Sequence, residues 1–293
     1  MIIVNIIGGL GNQMFQYAFG YAVSRDNNTE LRIDIDGFDV YNLRDYELDL
    51  YQVKESISFE FKYKFLVDKL NVKNKRFLTR ATQRLSMKLL NLSQFFYQEK
   101  RGFIFHAKTF NVKENTYFYG YWQNERYFKK YRDEILEIFT LKSIHSQTEK
   151  YQQKIIESDS VSLHIRRTDY VTDFDANSVH GVIDIDYYKR SVSLLQGDSK
   201  HFFIFSDDLE WAKNNLNFID NKEFVDLDKN IPDHEEIYLM SQCNHNIIAN
   251  SSFSWWGAWL NKNPHKKVIA PKKWLKDPLI DTIDLIPESW IRL

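Results

Sequence analysis

The stretch Val161-Ser162-Leu163-His164-Ile165-Arg166-Arg167-Thr168-Asp169-Tyr170 begins as an alternation of apolar and polar residues and ends in two cations, a hydroxyl and a carboxylate. Residues two apart share a face of a strand, so Val161, Leu163 and Ile165 point one way while Ser162, His164 and Arg166 point the other. In open α/β sheets ligands sit beyond the carboxyl ends of the strands, and a guanidinium there can fork onto phosphate oxygens. The pattern reads as a strand feeding an anion site. A strand end closing on a structural Arg-Asp ion pair would leave the same trace in these residues, so other stretches decide.

Downstream the alternation of element types is regular. A helix is expected at Ile185-Leu195, a strand at Phe202-Phe205, a helix from Leu209, a short strand near Phe224-Val225, a helix at Glu235-Gln242, a strand at Asn246-Ala249, a helix from Ser254 and a strand at Val268-Ala270. Strands alternating with helices imply a parallel sheet covered by helices. Upstream, Ser146 with Glu149 three residues on has the form of a capping box that opens the helix before the central strand. A domain boundary is placed there: residues 1–145 form an N-terminal domain, 146–274 a C-terminal ligand-binding domain, and 275–293 a tail expected to pack back on the N-terminal domain.

The N-terminal half opens with a short apolar run, Ile2-Ile7, a glycine loop, Gly8-Gly9-Leu10-Gly11-Asn12-Gln13, and apolar residues at helical spacing from Met14. Strand, glycine loop and helix together bring backbone N–H groups to an anion at a helix N-terminus. The third glycine of a dinucleotide fingerprint is replaced by Met14, which argues against NAD. Leu31-Ile35 reads as a second strand, Tyr117-Tyr119 as another, and Arg76-Leu90 as a helix. From Lys62 to Arg101 eleven Lys or Arg face only Asp68 and Glu99. A solvated helical face explains such a run, and so does peripheral contact with an anionic membrane.

The composition is that of a globular protein, with 43% hydrophobic and 27% charged residues. A formal net charge of −1 argues against nucleic acid as a partner. The single cysteine, Cys243, excludes an internal disulfide and a cysteine metal cluster. The first apolar run breaks at Gly8 and Gly9, too soon for a signal peptide, and no later stretch has the apolar length of a membrane span. A cytoplasmic location, extending to the inner face of the membrane through 62–101, is the expectation. Aspartate pairs such as Asp34-x-Asp36 and Asp226-x-Asp228 have a spacing used for metals, but recur as background in an acid-rich chain. No metal site is expected.

Three strand ends carry polar groups. His164, Arg166 and Arg167 form the first. Ser206-Asp207-Asp208 forms the second, where a carboxylate either accepts from a guanine base or caps the following helix. Asn250-Ser251-Ser252-Phe253-Ser254 forms the third, opening a helix whose first-turn N–H groups and hydroxyls face an anion.

Taken in order, Gly8-Gly9-Leu10-Gly11-Asn12-Gln13-Met14-Phe15-Gln16-Tyr17, Gly120-Tyr121-Trp122-Gln123, His164-Ile165-Arg166-Arg167, Ser206-Asp207-Asp208 and Asn250-Ser251-Ser252-Phe253-Ser254-Trp255-Trp256 resemble the α-1,2-fucosyltransferases of glycosyltransferase family 11. The chain shows no N-terminal anchor of the animal type and so resembles the bacterial members. The resemblance implies a GT-B architecture, two Rossmann-like domains facing a cleft, and inverting transfer of fucose from GDP-fucose, the donor substrate, without cofactor or essential metal. It implies that His164 and Asp207 or Asp208 meet guanine, Arg166 the diphosphate, and Ser251, Ser252 and Phe253 the phosphates and ribose. Gly9, Gly11, Asn12 and Gln13 would close on the donor, with Ser206 and Asn250 completing the set.

The acceptor implied is the 2-hydroxyl of a galactose-terminated glycan or a lipid-linked oligosaccharide, chosen by the poorly matching segment from about 40 to 110. Arg166 can stabilise charge growing on the leaving diphosphate, while Asp169 and Glu125 are the candidates for a general base. A fucosyltransferase of another linkage and a non-catalytic sugar- or nucleotide-binding module are the alternatives.

Overall fold

The computed structural model describes residues 1–39, 44–54, 96–100, 102–112, 115–168, 171, 174–195, 197, 199–277 and 280–293. The helix expected at Arg76-Leu90, all of 62–95 with Arg101 in the basic stretch, and Asp169 lie outside the described residues. The chain divides into two compact units, one of 1–101 with 105–139 and one of 102–104 with 140–293.

In the first unit, β1 (Ile2–Asn5), β2 (Leu31–Asp34), β3 (Phe96–Gln98) and β4 (Thr116–Tyr119) form a parallel sheet in the order β2-β1-β4-β3. The helix α1 (Leu10–Asp26) runs straight from the glycine loop and is buried along most of its length. Gly20 lets it settle onto the sheet, since a Cβ there would stand 2.5 Å from Val4 Cγ2 and 2.9 Å from Leu31 Cδ1. Phe19 stacks on Trp122, ring centres 4.0 Å apart and 6° from parallel, which fixes the loop after β4 to this helix. After two short 3-10 turns, α2 (Arg132–Ile138) closes the unit.

The second unit continues with α3 (Ser146–Ile156), β5 (Asp159–Ile165), α4 (Phe174–Val179), α5 (Ile185–Leu195), β6 (Lys200–Ser206), α6 (Leu209–Asn215), β7 (Lys222–Phe224), α7 (His234–Gln242), β8 (His245–Ile247), α8 (Ser252–Leu260), β9 (Val268–Ala270) and β10 (Ile291–Arg292). Its six strands are all parallel, in the order β10-β9-β8-β5-β6-β7. The order reverses between β8 and β5, the switch point at which doubly wound sheets open a crevice for ligands.

Both faces of β5 are buried, the apolar one against Tyr187, Val192 and Leu195 of α5. The polar face is satisfied internally: the Ser162 hydroxyl accepts from Asn246 Nδ2 at 2.7 Å, and Asn261 Nδ2 donates to Asn246 Oδ1 at 2.8 Å. Residues 275–293, expected to pack back on the N-terminal domain, supply the edge strand of this second sheet, where β10 pairs with β9 and Trp255 Nε1 donates to Leu285 O at 3.0 Å.

The capping box expected at Ser146 does not form. Ser146 is the first helical residue, His145 stands at the cap, and the helix start is bound from outside by Glu235 of α7. Its buried carboxylate accepts from the His145 backbone N–H at 3.0 Å, from the His145 ring and from the Thr148 hydroxyl.

Candidate functional site

The register of the second sheet aligns three strand ends. Ile165 pairs with Ser206, and Leu163 with Ile247, so the segments after β8, β5 and β6 leave the carboxyl edge side by side. The middle one carries His164 and Arg166. His164 is 4% exposed, lies 5.8 Å from the Phe253 ring, and its Nδ1 has no hydrogen-bond partner among the described residues. Burial, aided by the neighbouring Arg166 charge, pushes its pKa down to about 3, so the imidazole is neutral at physiological pH and has one donor and one acceptor nitrogen. A buried polar atom left without a partner costs stability unless something else satisfies it.

Arg166 and Arg167 are placed differently. Arg167 is held in the fold: Nε lies 3.2 Å from Asp208 Oδ2, and the guanidinium sits 4.1 Å from the centre of the Trp211 ring. Arg166 contacts Asp207 Oδ2 at 3.3 Å, and its charge also acts on His164 and on Glu236.

Asp207 and Asp208, one or other of which was expected to meet a guanine, both bond within the protein. Asp207 accepts from the backbone N–H of Arg167 at 2.9 Å, from that of Thr168 at 3.2 Å and from the Thr168 hydroxyl, while also pairing with Arg166. Asp208 caps α6 by accepting from Trp211 N at 3.0 Å, and Ser206 Oγ accepts from Asp208 N at 3.0 Å. These groups shape the loop that presents Arg166.

Sequence reasoning missed Glu236. It lies in the first turn of α7, and its pKa is pushed up to about 8, first by burial and then by the charges of Asp233 and Asp207, with Arg166 pulling the other way. A carboxyl protonated at neutral pH within reach of an arginine's charge is the kind of perturbed group that gathers at functional sites. In sequence Glu235 and Glu236 are alike, two acids in the first turn of a helix, and only the fold separates Glu235, a structural clamp, from Glu236.

The third strand end leads into α8. Ser251 caps the helix and accepts from Phe253 N at 3.3 Å. Ser252 and Phe253 remain half-buried, whereas Ser254 is fully buried with its hydroxyl on Ser251 O at 3.4 Å. Asn250 is a structural anchor: its Nδ2 donates to the carbonyls of His180, Gly181 and Trp274 at 3.0, 3.3 and 3.2 Å.

Residues 1–293 match the family model described as Glycosyl transferase family 11. The chain belongs to that family. This family 11 glycosyltransferase is 35% identical, over 100% of its own length and 99% of the relative's, to an alpha-1,2-colitosyltransferase of Escherichia coli. It is 33% identical, over 98% of both chains, to the O-antigen biosynthesis glycosyltransferase WbnK of the same species. Its fold resembles that of an Arabidopsis thaliana FUT1 mutant solved in complex with GDP, with a TM-score of 0.53 and 13% identity over 92% of this chain and 70% of that one. The fold class is GT-B-like, with two Rossmann-like α/β units.

In the first unit of the glycosyltransferase, the glycine loop is held by amide side chains. Gln13 is buried, with Nε2 donating to Gly8 O at 2.9 Å and Asp45 O at 2.8 Å and Oε1 accepting from Glu47 N at 3.0 Å, so its amide is part of the scaffold. Gln16 accepts from Ile7 N at 2.9 Å and donates to Gly120 O at 3.0 Å, and Gln123 Nε2 donates to Asn12 Oδ1 at 2.6 Å. Gly9 leaves the N-terminus of α1 without a side-chain cap, and a Cβ on it would meet nothing within 4 Å. Gly11 is buried in the first turn. Glu125 opens a 3-10 turn, and its charge acts on Arg132. Among the described residues no group of three or more His, Cys, Asp or Glu is arranged to hold a metal ion, and no helix is long and apolar enough to cross a membrane.

Proposed function

We propose that this glycosyltransferase moves fucose from GDP-fucose to the 2-hydroxyl of a galactose-terminated glycan, free or lipid-linked, with inversion at the anomeric carbon and without a metal. The observation that carries the donor reading is the unpartnered buried Nδ1 of His164 at the switch point of the second sheet, between Arg166 and Phe253. A nucleotide base that supplies the missing hydrogen bond would remove the cost of burying that atom.

The remaining groups fit the same ligand. A guanine presents N–H donors that match a carboxyl, and Glu236 joins Asp207 and Asp208 as a carboxyl that can meet them. Arg166 takes the diphosphate, and the start of α8 with Ser251 and Ser252 faces its phosphates, since a helix N-terminus favours an anion. As the bond from fucose C1 to the phosphate breaks, its electron pair goes to GDP. The guanidinium stabilises that charge more than it stabilises the ground state, which is what acceleration requires.

Relatives named galactoside 2-alpha-L-fucosyltransferase support the fucosyl reading, among them one from Bos taurus that is 27% identical over 48% of this chain. The full-length likeness to an alpha-1,2-colitosyltransferase favours a second reading, in which the 1,2 linkage is kept and the sugar moved is colitose. Incubating the purified chain with GDP-fucose or a nucleotide-linked colitosyl donor, each with a galactose-terminated acceptor, separates the two by product mass and linkage. Fucose on the galactose 2-hydroxyl is the expected product. Failure to bind GDP would remove the donor site assigned here.

A further inference from the structure

The loops that leave β5 and β6 are joined by one carboxylate. Asp207, the first residue after β6, presents Oδ1 to the backbone N–H of Arg167 at 2.9 Å. Its Oδ2 accepts from the backbone N–H of Thr168 at 3.2 Å and from the Thr168 hydroxyl, and Arg166 Nη1 stands 3.3 Å from the same oxygen. Three donor atoms surround Oδ2, two of them from one residue.

A carboxylate oxygen has about two lone-pair directions in which to accept. Thr168 approaches Oδ2 with both its N–H and its hydroxyl, so Arg166 meets an oxygen whose directions are already taken. The distances agree, since 3.3 Å from Nη1 exceeds the about 2.7–2.9 Å of a charge-assisted hydrogen bond. The side chains of Arg166 and Asp207 are only 22% and 18% exposed. An ion pair closed to full hydrogen-bonding distance there would be little screened, and it would have to break before the guanidinium could turn to another anion. Thr168 itself is exposed, so water would satisfy its hydroxyl, and burial does not demand the contact with Asp207.

We propose that Thr168 is a positioning residue for transfer: its hydroxyl occupies Asp207 Oδ2 and keeps Arg166 from closing onto that carboxylate, which leaves the guanidinium able to fork onto a diphosphate. The inference rests on the donor reading above, in which Arg166 meets the diphosphate. Without the hydroxyl, one direction on Oδ2 is released and Nη1 moves onto it. The phosphate oxygens must then compete with a carboxylate for the same fork. Asp207 keeps its place in either case, because the backbone N–H groups of Arg167 and Thr168 still hold it.

The test uses the full chain and compares Thr168→Val, which keeps the shape and removes the hydroxyl, with Thr168→Ser, which keeps the hydroxyl. Nitrogen-15 NMR of arginine side chains in the free protein reads rotation of the Arg166 guanidinium. That rotation is expected to slow in Thr168→Val and to match wild type in Thr168→Ser. Unslowed rotation in Thr168→Val overturns the inference whatever the donor proves to be. Affinities for GDP and for inorganic pyrophosphate are expected to fall together in Thr168→Val by about three- to tenfold, between the worth of an exposed ion pair and that of a buried one. Guanosine should bind as it does to wild type, kcat should fall at least as far as GDP affinity, and acceptor KM should stay within about twofold. Thermal stability should hold or rise, since an ion pair has been gained. A hydroxyl that only supports the fold would give lower stability with unchanged pyrophosphate binding, and that result overturns the inference, as does a serine variant as impaired as the valine one. A chain in which Arg166 slows on loss of the hydroxyl, but whose wild type binds neither GDP nor pyrophosphate, would instead overturn the donor reading.

Discussion

The guanidinium of Arg167 lies over the Trp211 ring, 4.1 Å from its centre, while its Nε pairs with Asp208. The adjacent Arg166 pairs instead with Asp207 Oδ2 at 3.3 Å, and its charge acts on His164 and Glu236. Two arginines next to each other in sequence thus have separate duties.

Arg166→Lys should therefore lower kcat by at least about tenfold, with a smaller loss of GDP affinity, because a lysine offers a point charge where the fork holds two oxygens. Arg167→Lys should keep GDP affinity and lower thermal stability through loss of its contacts with Trp211 and Asp208. Turnover and GDP titrations on both variants check this, and the reverse pattern would sink the face assignment.

His164→Leu should raise stability and lower GDP affinity together. It removes a buried nitrogen that lacks a partner in the free protein, yet also removes the hydrogen bond assigned to the base, worth roughly 0.5–1.5 kcal/mol net. Urea unfolding and GDP binding, measured on the same preparation, should move in opposite directions.

Glu236 makes stability depend on pH. Its pKa rises from 4.5 to about 8 on folding, so between those values the native state holds a proton that the unfolded chain gives up. That contribution is complete below about pH 4.5 and is lost as pH rises through about 8. Glu236→Gln should remove this slope, so that wild type weakens relative to the variant between about pH 5 and 8.5 in denaturant titrations. If the carboxylate meets guanine, GDP binding near pH 7 should also expel a proton, seen as a buffer-dependent heat that the variant lacks.

Transfer should persist in excess EDTA, because the charge leaving with GDP is assigned to Arg166 and the start of α8. Activity abolished by the chelator and restored by a divalent ion would reassign that charge.

Gly20→Ala should destabilise the first unit by about 1–3 kcal/mol, the usual cost of overpacking, since the added methyl would meet Val4 and Leu31 inside normal contact distance. Thermal unfolding reads this directly.

Much of the second unit was legible because its strands and helices follow strict periods. The alternation at 161–165 marks β5, and Val268–Ala270 is a strand as its apolar run suggests. The alternation did not mean that one face is wet: Ser162 is buried because Asn246 reaches it from a strand more than eighty residues away. The same limit hid the roles of Asp207, Gln13 and Asn250. Each has the chemistry of a ligand contact in sequence, and each also bonds loop backbone that only the fold brings close. Glu236 was invisible for the opposite reason, since its unusual proton affinity is set by burial and by charges at the end of β6 and in the turn before α7.

The three carbonyls gathered by Asn250 also decide which charge that position can carry. Loss of ammonia from that side chain would turn a donor into a carboxylate facing the oxygens of His180, Gly181 and Trp274. Attraction would become repulsion at three separated segments, beside the serines that open α8. Asn250→Asp makes that exchange directly, and thermal unfolding should read a clear loss of stability in the variant.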